Sequence, residues 1–228
     1  SRVWDVSTSV DGSRTIKHNA AVTYGEFGPD GSKIVTACTD GTARVWDAKS
    51  GEAVSKVMAH QASVVCAKFG PAGDKVVTAG RDQAVGIWLV SGDRVGKPIP
   101  RRSPLTDASF SPSGRDVLMC SEDGTARVWN VEAGDWRTYV VTHDASIQDV
   151  EVSPDGRLFA TGSDDNTARV WDVVKGSDLP VTPPLRHNGT VYRTLFSPDG
   201  SLLLTASQDG LVRLWDLAAR RDEASAIR

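Results

Sequence analysis

The sequence Gly41-Thr42-Ala43-Arg44-Val45-Trp46-Asp47 recurs along this chain at nearly constant intervals. Close copies occupy residues 124–130 and 166–172, and looser copies occupy residues 1–5, 84–89 and 211–216. Six tryptophans, one in each copy, follow one another at spacings of 42, 42, 41, 42 and 44 residues. A fixed period of this size is typical of repeat proteins, in which each unit buries its apolar face against its neighbours. The sequence therefore predicts a tandem array of small structural units.

One complete unit, residues 18–60, contains four strand signals. We predict strand a at Val22–Phe27, strand b at Lys33–Cys38, strand c at residues 42–46 and a more variable strand d at residues 53–58. A turn with Pro and Gly separates strands a and b, and an Asp-Gly hairpin signal separates strands b and c. Strand b is apolar almost throughout, which indicates a strand covered on both faces. Four short antiparallel strands in each unit predict an all-β fold.

The order of His, Pro–Gly turn, Asp and Trp-Asp within each unit resembles the WD-repeat β-propeller family. The resemblance implies four-stranded antiparallel blades, with five blade cores plus part of another. It divides the chain into strands c and d of a partial blade (residues 1–17), tandem blades of one propeller (residues 18–219) and a tail (residues 220–228). Seven blades, the usual number in the family, would need roughly 294 residues. We therefore expect a segment of a seven-bladed propeller whose remaining blades are missing; alternatively, a strand near residues 14–17 closes a five-bladed ring.

The resemblance also implies a structural hydrogen-bond network in each blade. It joins a His before strand a, a Thr of strand b, an Asp of the b–c turn and the Trp of strand c, whose polar groups can satisfy one another away from water. The predicted sets are His18, Thr36, Asp40 and Trp46; His60, Thr78, Asp82 and Trp88; His143, Thr161, Asp165 and Trp171; and His187, Thr205, Asp209 and Trp215.

The third full blade departs from this pattern. Arg101 stands at its His position and Met119 at its hydroxyl position, whereas Asp123 and Trp129 are kept. A buried carboxylate without a partner is costly. We therefore predict that Asp123 takes another donor, with Arg101 as the candidate, and that this blade is less rigid than its neighbours.

The repetition of His, Asp and Thr argues against catalysis. A catalytic centre needs one converging set of groups beside one substrate pocket, whereas these residue types recur at equivalent places in four blades. The sequence contains no Gly-rich phosphate loop, HExxH helix or CxxC pair, and each repeated Asp stands in a short hairpin turn. We predict no catalytic residues, no metal and no cofactor.

The composition is that of a globular protein. Of 228 residues, 39% are hydrophobic and 24% are charged, and the net charge of −3 favours neither nucleic acid nor an anionic membrane as a partner. No apolar run is long enough to span a bilayer. Three cysteines, Cys38, Cys66 and Cys120, lie in apolar runs, and an odd number cannot pair fully within one chain. We predict buried free thiols and a reducing, cytoplasmic location.

The loops before strand a and between strands b and c are predicted to gather on one face, which is the default binding surface. The residue before each turn Asp differs between units, as does the second residue of strand a. The predicted partner-binding rim consists of Thr39, Arg81, Glu122, Asp164, Gln208, Gln148 and Tyr192; Thr23, Val65 and Thr106 vary in the same way. Relaxed constraint on a solvated surface would produce the same variation. Trp136 and Tyr139 are a second candidate, unless they cover a blade edge.

The predicted function is a non-enzymatic scaffold in signalling that displays variable loops to protein or peptide partners. The alternative is a sensor or targeting domain of a larger signalling enzyme, such as a protein kinase or a signalling ATPase.

Overall fold

The computed structural model describes residues 2–3, 14–173 and 175–217. The regular elements of these residues are all β-strands, which confirms the predicted all-β class. The predicted tail, residues 220–228, lies outside the described residues. The chain forms two compact units, residues 1–102 and 103–228.

The first unit contains three antiparallel sheets. Strands β1 (Arg2–Val3) and β2 (Arg14–Thr15) form a two-stranded pair. Sheet 1 consists of β3 (Val22–Phe27), β4 (Lys33–Cys38), β5 (Thr42–Asp47) and β6 (Met58–Ala59); sheet 2 consists of β7 (Val64–Phe69), β8 (Lys75–Gly80), β9 (Ala84–Leu89) and β10 (Ile99–Pro100). In both four-stranded sheets each strand pairs with the next strand along the chain.

The second unit also contains three antiparallel sheets. Sheet 3 consists of β11 (Leu105–Phe110), β12 (Asp116–Ser121), β13 (Thr125–Asn130) and β14 (Asp135–Thr142); sheet 4 consists of β15 (Ile147–Val152), β16 (Leu158–Ser163), β17 (Thr167–Asp172) and β18 (Leu185–Arg186); sheet 5 consists of β19 (Val191–Phe196), β20 (Leu202–Ser207) and β21 (Val212–Asp216). Sheet 5 has three strands within the described residues. The predicted strands a, b and c are confirmed in every sheet from 1 to 5.

The predicted bounds of strand d, residues 53–58, are wrong. Only Met58–Ala59 pairs with β5 as a strand, and Ala53 forms an isolated bridge with Trp46. Between them the Ser55 hydroxyl accepts a hydrogen bond from the Val45 N–H (2.9 Å), and the Lys56 N–H donates to the Ser91 carbonyl (2.8 Å). Apart from one backbone bond, from the Val54 N–H to the Val45 carbonyl (3.0 Å), these bonds stand where a longer fourth strand would pair with β5.

The b–c turn requires a positive φ angle at the position after the turn Asp. The five residues at this position, with their φ angles, are Gly41 (84°), Gln83 (64°), Gly124 (75°), Asn166 (66°) and Gly210 (80°). Glycine reaches this region without strain, and asparagine tolerates it better than most residues. A Cβ atom at Gly41 would lie 2.8 Å from the His60 carbonyl oxygen, so this turn is also crowded. Glycine thus follows Asp40 for two reasons: the turn needs a positive φ angle, and the His60 carbonyl leaves no room for a Cβ atom.

The hydrophobic core of each unit lies between the successive sheets of that unit. We call the side of a sheet that packs on the following sheet its forward face, and the opposite side its rear face. Between sheets 1 and 2 the forward face supplies Val35, Ala37, Ala43, Val45 and Met58, and the rear face supplies Val64, Ala67, Phe69, Val76 and Trp88. The same arrangement joins sheets 3 and 4, and sheets 4 and 5. Each sheet thus stabilises its neighbour, as expected for a repeat array.

The three cysteines are buried, and none of them forms a disulfide within the described residues. Burial raises the pKa of the Cys38 thiol above its ordinary value, which keeps this side chain neutral and apolar in character. The predicted burial is confirmed, and the predicted reducing compartment stays a prediction.

Candidate interaction surface

The predicted polar network is assembled in full in sheet 4. The Trp171 indole N–H donates to the Thr161 hydroxyl (2.9 Å), Thr161 is 2.7 Å from His143 Nε2, and His143 Nδ1 is 2.8 Å from the Asp165 carboxylate. The Asp165 carboxylate can only accept, so Nδ1 carries a hydrogen. Burial lowers the pKa of the ring, so Nε2 is unprotonated and accepts from the Thr161 hydroxyl, whose oxygen accepts from the indole. His143 is therefore the neutral tautomer that donates from Nδ1 to Asp165.

Sheets 2 and 5 contain the same arrangement. The His60 ring lies 3.0 Å from Asp82 and 2.7 Å from Thr78, which accepts from the Trp88 indole at 2.8 Å. In sheet 5 the distances are 3.3 Å from His187 to Asp209, 2.7 Å from His187 to Thr205, and 2.8 Å from Trp215 to Thr205. The four predicted residues therefore meet in each of these three sheets.

Burial controls the charge of the network. Burial lowers the pKa of His143 and outweighs the opposing effect of Asp165, so the ring is neutral near pH 7. Burial acts to raise the pKa of Asp165, but hydrogen bonds from His143 and Thr167 lower it well below its ordinary value. The Asp165 carboxylate also accepts from the Asp144 N–H (3.3 Å), which fixes the loop before strand a to the b–c turn. The network therefore holds the loop before strand a against the b–c turn.

Sheet 1 brings together three of its four predicted residues. His18 Nε2 lies 2.9 Å from the Thr36 hydroxyl, which accepts from the Trp46 indole at 2.8 Å. His18 Nδ1, however, lies 3.1 Å from the Ile16 carbonyl, and the exposed Asp40 carboxylate accepts from Thr42 instead. His18 Nδ1 therefore contacts the Ile16 carbonyl, whereas the prediction paired it with Asp40.

Sheet 3 satisfies its turn carboxylate locally. Met119, at the hydroxyl position, is fully buried. Asp123 accepts hydrogen bonds from the Ser121 hydroxyl (2.6 Å), the Thr125 N–H (2.9 Å) and the Thr125 hydroxyl (2.7 Å). The role of Ser121 was missed at the sequence level, although a serine two residues before the turn Asp was the available signal. The pairing of Arg101 with Asp123 and the lower rigidity of this sheet stay predictions.

The five turn residues of the predicted rim are held by one repeated backbone contact. Each donates its N–H to the carbonyl of the residue just before strand a: Thr39 to Ala21 (2.9 Å), Arg81 to Ser63 (2.9 Å), Glu122 to Pro104 (3.1 Å), Asp164 to Ser146 (2.9 Å) and Gln208 to Thr190 (2.8 Å). All five residues are exposed to solvent. The chain therefore presents five chemically different side chains on the same local backbone.

The second residues of strand a have different roles. The Gln148 amide donates to the Asp164 carboxylate (2.8 Å), so two predicted rim residues are in contact, and Tyr192 is exposed. By contrast, the Thr23 hydroxyl donates to the Val64 carbonyl (2.6 Å) and the Thr106 hydroxyl donates to the Ile147 carbonyl of the following sheet. These two threonines link sheets, which sequence variation alone did not reveal.

Trp136 lies against the edge of sheet 3. Its ring packs edge to face on Trp129, with the centroids 5.0 Å apart and an interplanar angle of 83°, and the Arg127 guanidinium lies 5.7 Å from its centroid. The Tyr139 side chain lies outside the described part of the chain. This geometry agrees with the alternative in which Trp136 covers a blade edge and does not anchor a partner.

Carboxylates of strand a that link neighbouring sheets were missed at the sequence level. Asp149 accepts from the Thr194 N–H (2.7 Å), the Thr194 hydroxyl (2.9 Å) and the Arg193 guanidinium (2.7 Å) of the following sheet. Glu26 accepts from the Phe69 N–H (2.7 Å) in the same way. An acidic residue inside an otherwise half-buried strand was the signal. These bonds fix the spacing of neighbouring sheets and of the loops that they present.

Within residues 2–3, 14–173 and 175–217, no group of three or more His, Cys, Asp or Glu side chains is placed to hold a metal ion. None of these described residues belongs to a helix long and apolar enough to cross a membrane.

Two family models match the chain. The model described as WD domain, G-beta repeat, matches residues 99–130, 136–172 and 182–216, and the anaphase-promoting complex subunit 4 WD40 domain matches residues 1–72. Together they cover well over half of the chain. The chain belongs to the WD-repeat family. Its sheets 1 to 5 correspond to WD-repeat blades, and WD repeats generally serve as protein-interaction modules without enzymatic activity. No curated protein matches this chain.

Proposed function

We propose that this WD-repeat chain is a non-enzymatic scaffold that binds protein or peptide partners through its exposed b–c turns. The observation that carries the proposal is the repeated N–H to carbonyl bond, which holds five different exposed side chains on one backbone geometry. A surface that is already ordered loses little conformational entropy on binding. Recognition therefore depends on which side chain each turn carries.

The polar networks support a structural role over a catalytic one. The Thr78, Thr161 and Thr205 hydroxyls belong to residues with no exposed surface, and each has an indole donor and an imidazole acceptor. A nucleophile must reach a substrate, and a general base needs a free nitrogen. Here the histidine nitrogens are occupied by Thr and Asp, so these groups hold loops in place.

The chemistry of the rim favours a partner of mixed charge. Glu122 and Asp164 present carboxylates in the second unit, and Arg81 presents a guanidinium in the first unit. Gln148 and Tyr192 add an amide and an exposed phenol to the second unit. Within each unit, charged and polar side chains on ordered turns provide specificity and orientation for a protein or peptide segment.

A selection from a random peptide library tests this function. Peptides that bind the chain are expected to lose at least tenfold in affinity for a rim variant that carries T39A, R81A, E122A, D164A and Q208A. The variant is expected to keep its fold, because the anchoring bonds are formed by main-chain atoms. The dissociation constants are measured by fluorescence anisotropy.

The matched control carries K49A, E132A and D178A, three exposed loop residues outside the rim. Its affinities are expected to stay within about threefold of those of the unchanged chain, as is usual for surface substitutions outside a binding site. The proposal would be contradicted if both variants lost affinity equally, or if the rim variant bound the peptides as tightly as the unchanged chain. A role in a larger signalling enzyme and a cytoplasmic location stay predictions.

A further inference from the structure

Strand c carries an arginine two residues before its tryptophan in four of the five sheets. These residues are Arg44, Arg127, Arg169 and Arg213. In sheet 4, Arg169 donates to the Thr142 carbonyl (2.9 Å), just before the network histidine, and to the Asp165 carboxylate (3.2 Å). The arginine thereby helps to hold the loop before strand a and the b–c turn together. Sheet 2 has Gly86 at this position, so its strand c offers no such donor.

Arg94 supplies an arginine in sheet 2 from the loop before β10. Its backbone forms an isolated bridge with Trp88, the tryptophan of strand c. Its guanidinium carbon lies 3.9 Å from the centroid of the Trp88 ring, and Nη2 donates to the Ala59 carbonyl at 3.4 Å. Ala59 stands just before the network histidine of sheet 2, as Thr142 does in sheet 4. The carbonyl at this point of the loop therefore has an arginine donor in both sheets.

Gly86 leaves the space that this arrangement needs. A Cβ atom at Gly86 would lie 2.4 Å from Trp88 Nε1 and 2.8 Å from the Thr78 hydroxyl oxygen. Both distances are too short for a side chain to fit unless the indole moves. Gly86 and Arg94 therefore depend on each other, because the missing side chain makes room for the indole on which the guanidinium packs.

The loop of residues 60–63 connects Arg94 with the b–c turn of sheet 2. Arg94 binds the carbonyl just before this loop. Within the loop, the Gln61 N–H donates to the Asp82 carboxylate (2.9 Å), and the last carbonyl accepts from the Arg81 N–H (2.9 Å). The loop is thus held by the guanidinium at its start and bonded to the b–c turn further on. A change at position 94 should therefore reach the turn that displays Arg81.

We propose that Arg94 is a positioning residue for the b–c turn of sheet 2, and through it for the Arg81 side chain. A planar guanidinium can stack on an indole and donate to a main-chain carbonyl at the same time. The effect of Arg94 on binding rests on the proposed function of the turns, whereas its effect on the loop does not. Sheet 2 has in this way exchanged the arginine of strand c for one in a different loop.

Amide hydrogen exchange, followed by NMR, tests the positioning role without any peptide. The Gln61 and Arg81 amides are expected to exchange at least about tenfold faster in R94A, because their loop opens more often. The Asp144 amide, which donates to the network carboxylate of sheet 4, is expected to keep its rate. K97A is the matched control, since Lys97 is exposed in the same loop. Equal rates for Gln61 and Arg81 in R94A and K97A would overturn the proposal.

The mutual dependence of the two positions is tested by G86R and by the double variant G86R/R94A. G86R alone places a side chain against the Trp88 indole, so faster exchange of the same two amides is expected. In the double variant the indole can move into the space that the Arg94 side chain leaves, and the new arginine can donate as Arg169 does. The double variant is therefore expected to exchange more slowly than either single variant. Faster exchange than in both would contradict this dependence.

Peptide affinities separate the positioning role from the proposed function. Library peptides that R81A binds more weakly are expected to lose at least about threefold in affinity for R94A, because the turn is less ordered before binding. Peptides that D164A binds more weakly are expected to keep their affinity for R94A, which excludes a general loss of folding. Faster exchange in R94A with no peptide dependent on Arg81 would support the positioning role and contradict the proposed function of this turn. Unchanged exchange with such peptides would do the reverse.

Discussion

The threonine of strand b is the central residue of each polar network. A hydroxyl can accept from the indole of strand c and donate to the imidazole through one and the same oxygen. In sheet 4 both bonds are shorter than 3.0 Å and the Thr161 residue has no exposed surface. Serine would also provide a hydroxyl, but threonine adds the β-branching that strands favour.

Replacement of Thr161 by valine keeps the shape and removes the hydroxyl. The indole N–H of Trp171 and Nε2 of His143 then lose their partner in a buried site, so we expect the free energy of unfolding to fall by about 2–3 kcal/mol. Urea unfolding followed by tryptophan fluorescence measures the change. T39V, at an exposed turn, is the control and should cost less than about 0.5 kcal/mol. Equal stabilities of T161V and T39V would contradict this role.

At the scale of the strand, carboxylates of strand a connect one sheet to the next. Asp149 is 2% exposed and makes three bonds to residues of β19, two of them to Thr194. These contacts complement the apolar core between sheets 4 and 5 with a fixed polar anchor. They also determine the register in which two sheets can pack.

We expect D149A to destabilise the chain by about 2–4 kcal/mol, because the backbone N–H of Thr194 and the Arg193 guanidinium lose a buried anionic partner. Chemical unfolding gives the free energy, and hydrogen exchange of β19 amides locates the effect. D144A is the matched control: its side chain is 92% exposed and its ion pair with Arg169 is long (3.7 Å). A surface pair of this kind contributes little. A D149A protein as stable as D144A would refute the anchor.

The strands differ in how well the sequence predicts them. Strands a, b and c follow from alternation, β-branched residues and turn signals, all of which are local. Strand d does not, because only Met58 and Ala59 pair with β5 and the preceding loop bonds to the next repeat through Ser91. The sheet-linking roles of Thr23 and Thr106 also depend on carbonyls 41 residues away. Such contacts leave no periodic signal in one sequence.

The four residues of each network were predicted from the resemblance to WD repeats. The structure shows why the network of sheet 1 differs. The Ile16 carbonyl, two residues before His18, competes with Asp40 for the ring donor. Nothing in residue type distinguishes His18 from His60 or His143. The outcome depends on the path of the backbone before strand a, which residue identity does not specify.

At the scale of the whole molecule, the repeated histidines make the stability of the chain depend on pH. Burial lowers the pKa of His18, His143 and His187 from the ordinary value of 6.5. The unfolded chain therefore binds more protons than the native chain below pH 6.5. Stability rises with pH wherever the unfolded state binds more protons, so it must fall as the pH drops through this range.

We expect the free energy of unfolding to decrease between pH 7 and pH 5. A single histidine that stays neutral in the native state, such as His143, contributes a slope of at most about 1.4 kcal/mol per pH unit. Urea unfolding at half-unit steps measures the slope, and H143Q should reduce it. Stability that is constant or rises on acidification would contradict the assignment of neutral buried rings.

The backbone bond that anchors each b–c turn has an evolutionary consequence. Because main-chain atoms form it, a mutation at Thr39, Arg81, Glu122, Asp164 or Gln208 can change the displayed chemistry without removing the anchor. Duplication of one repeat copies an anchored position together with its sheet. Binding preference in such a gene can therefore diverge one codon at a time, while selection for folding acts mainly on other codons.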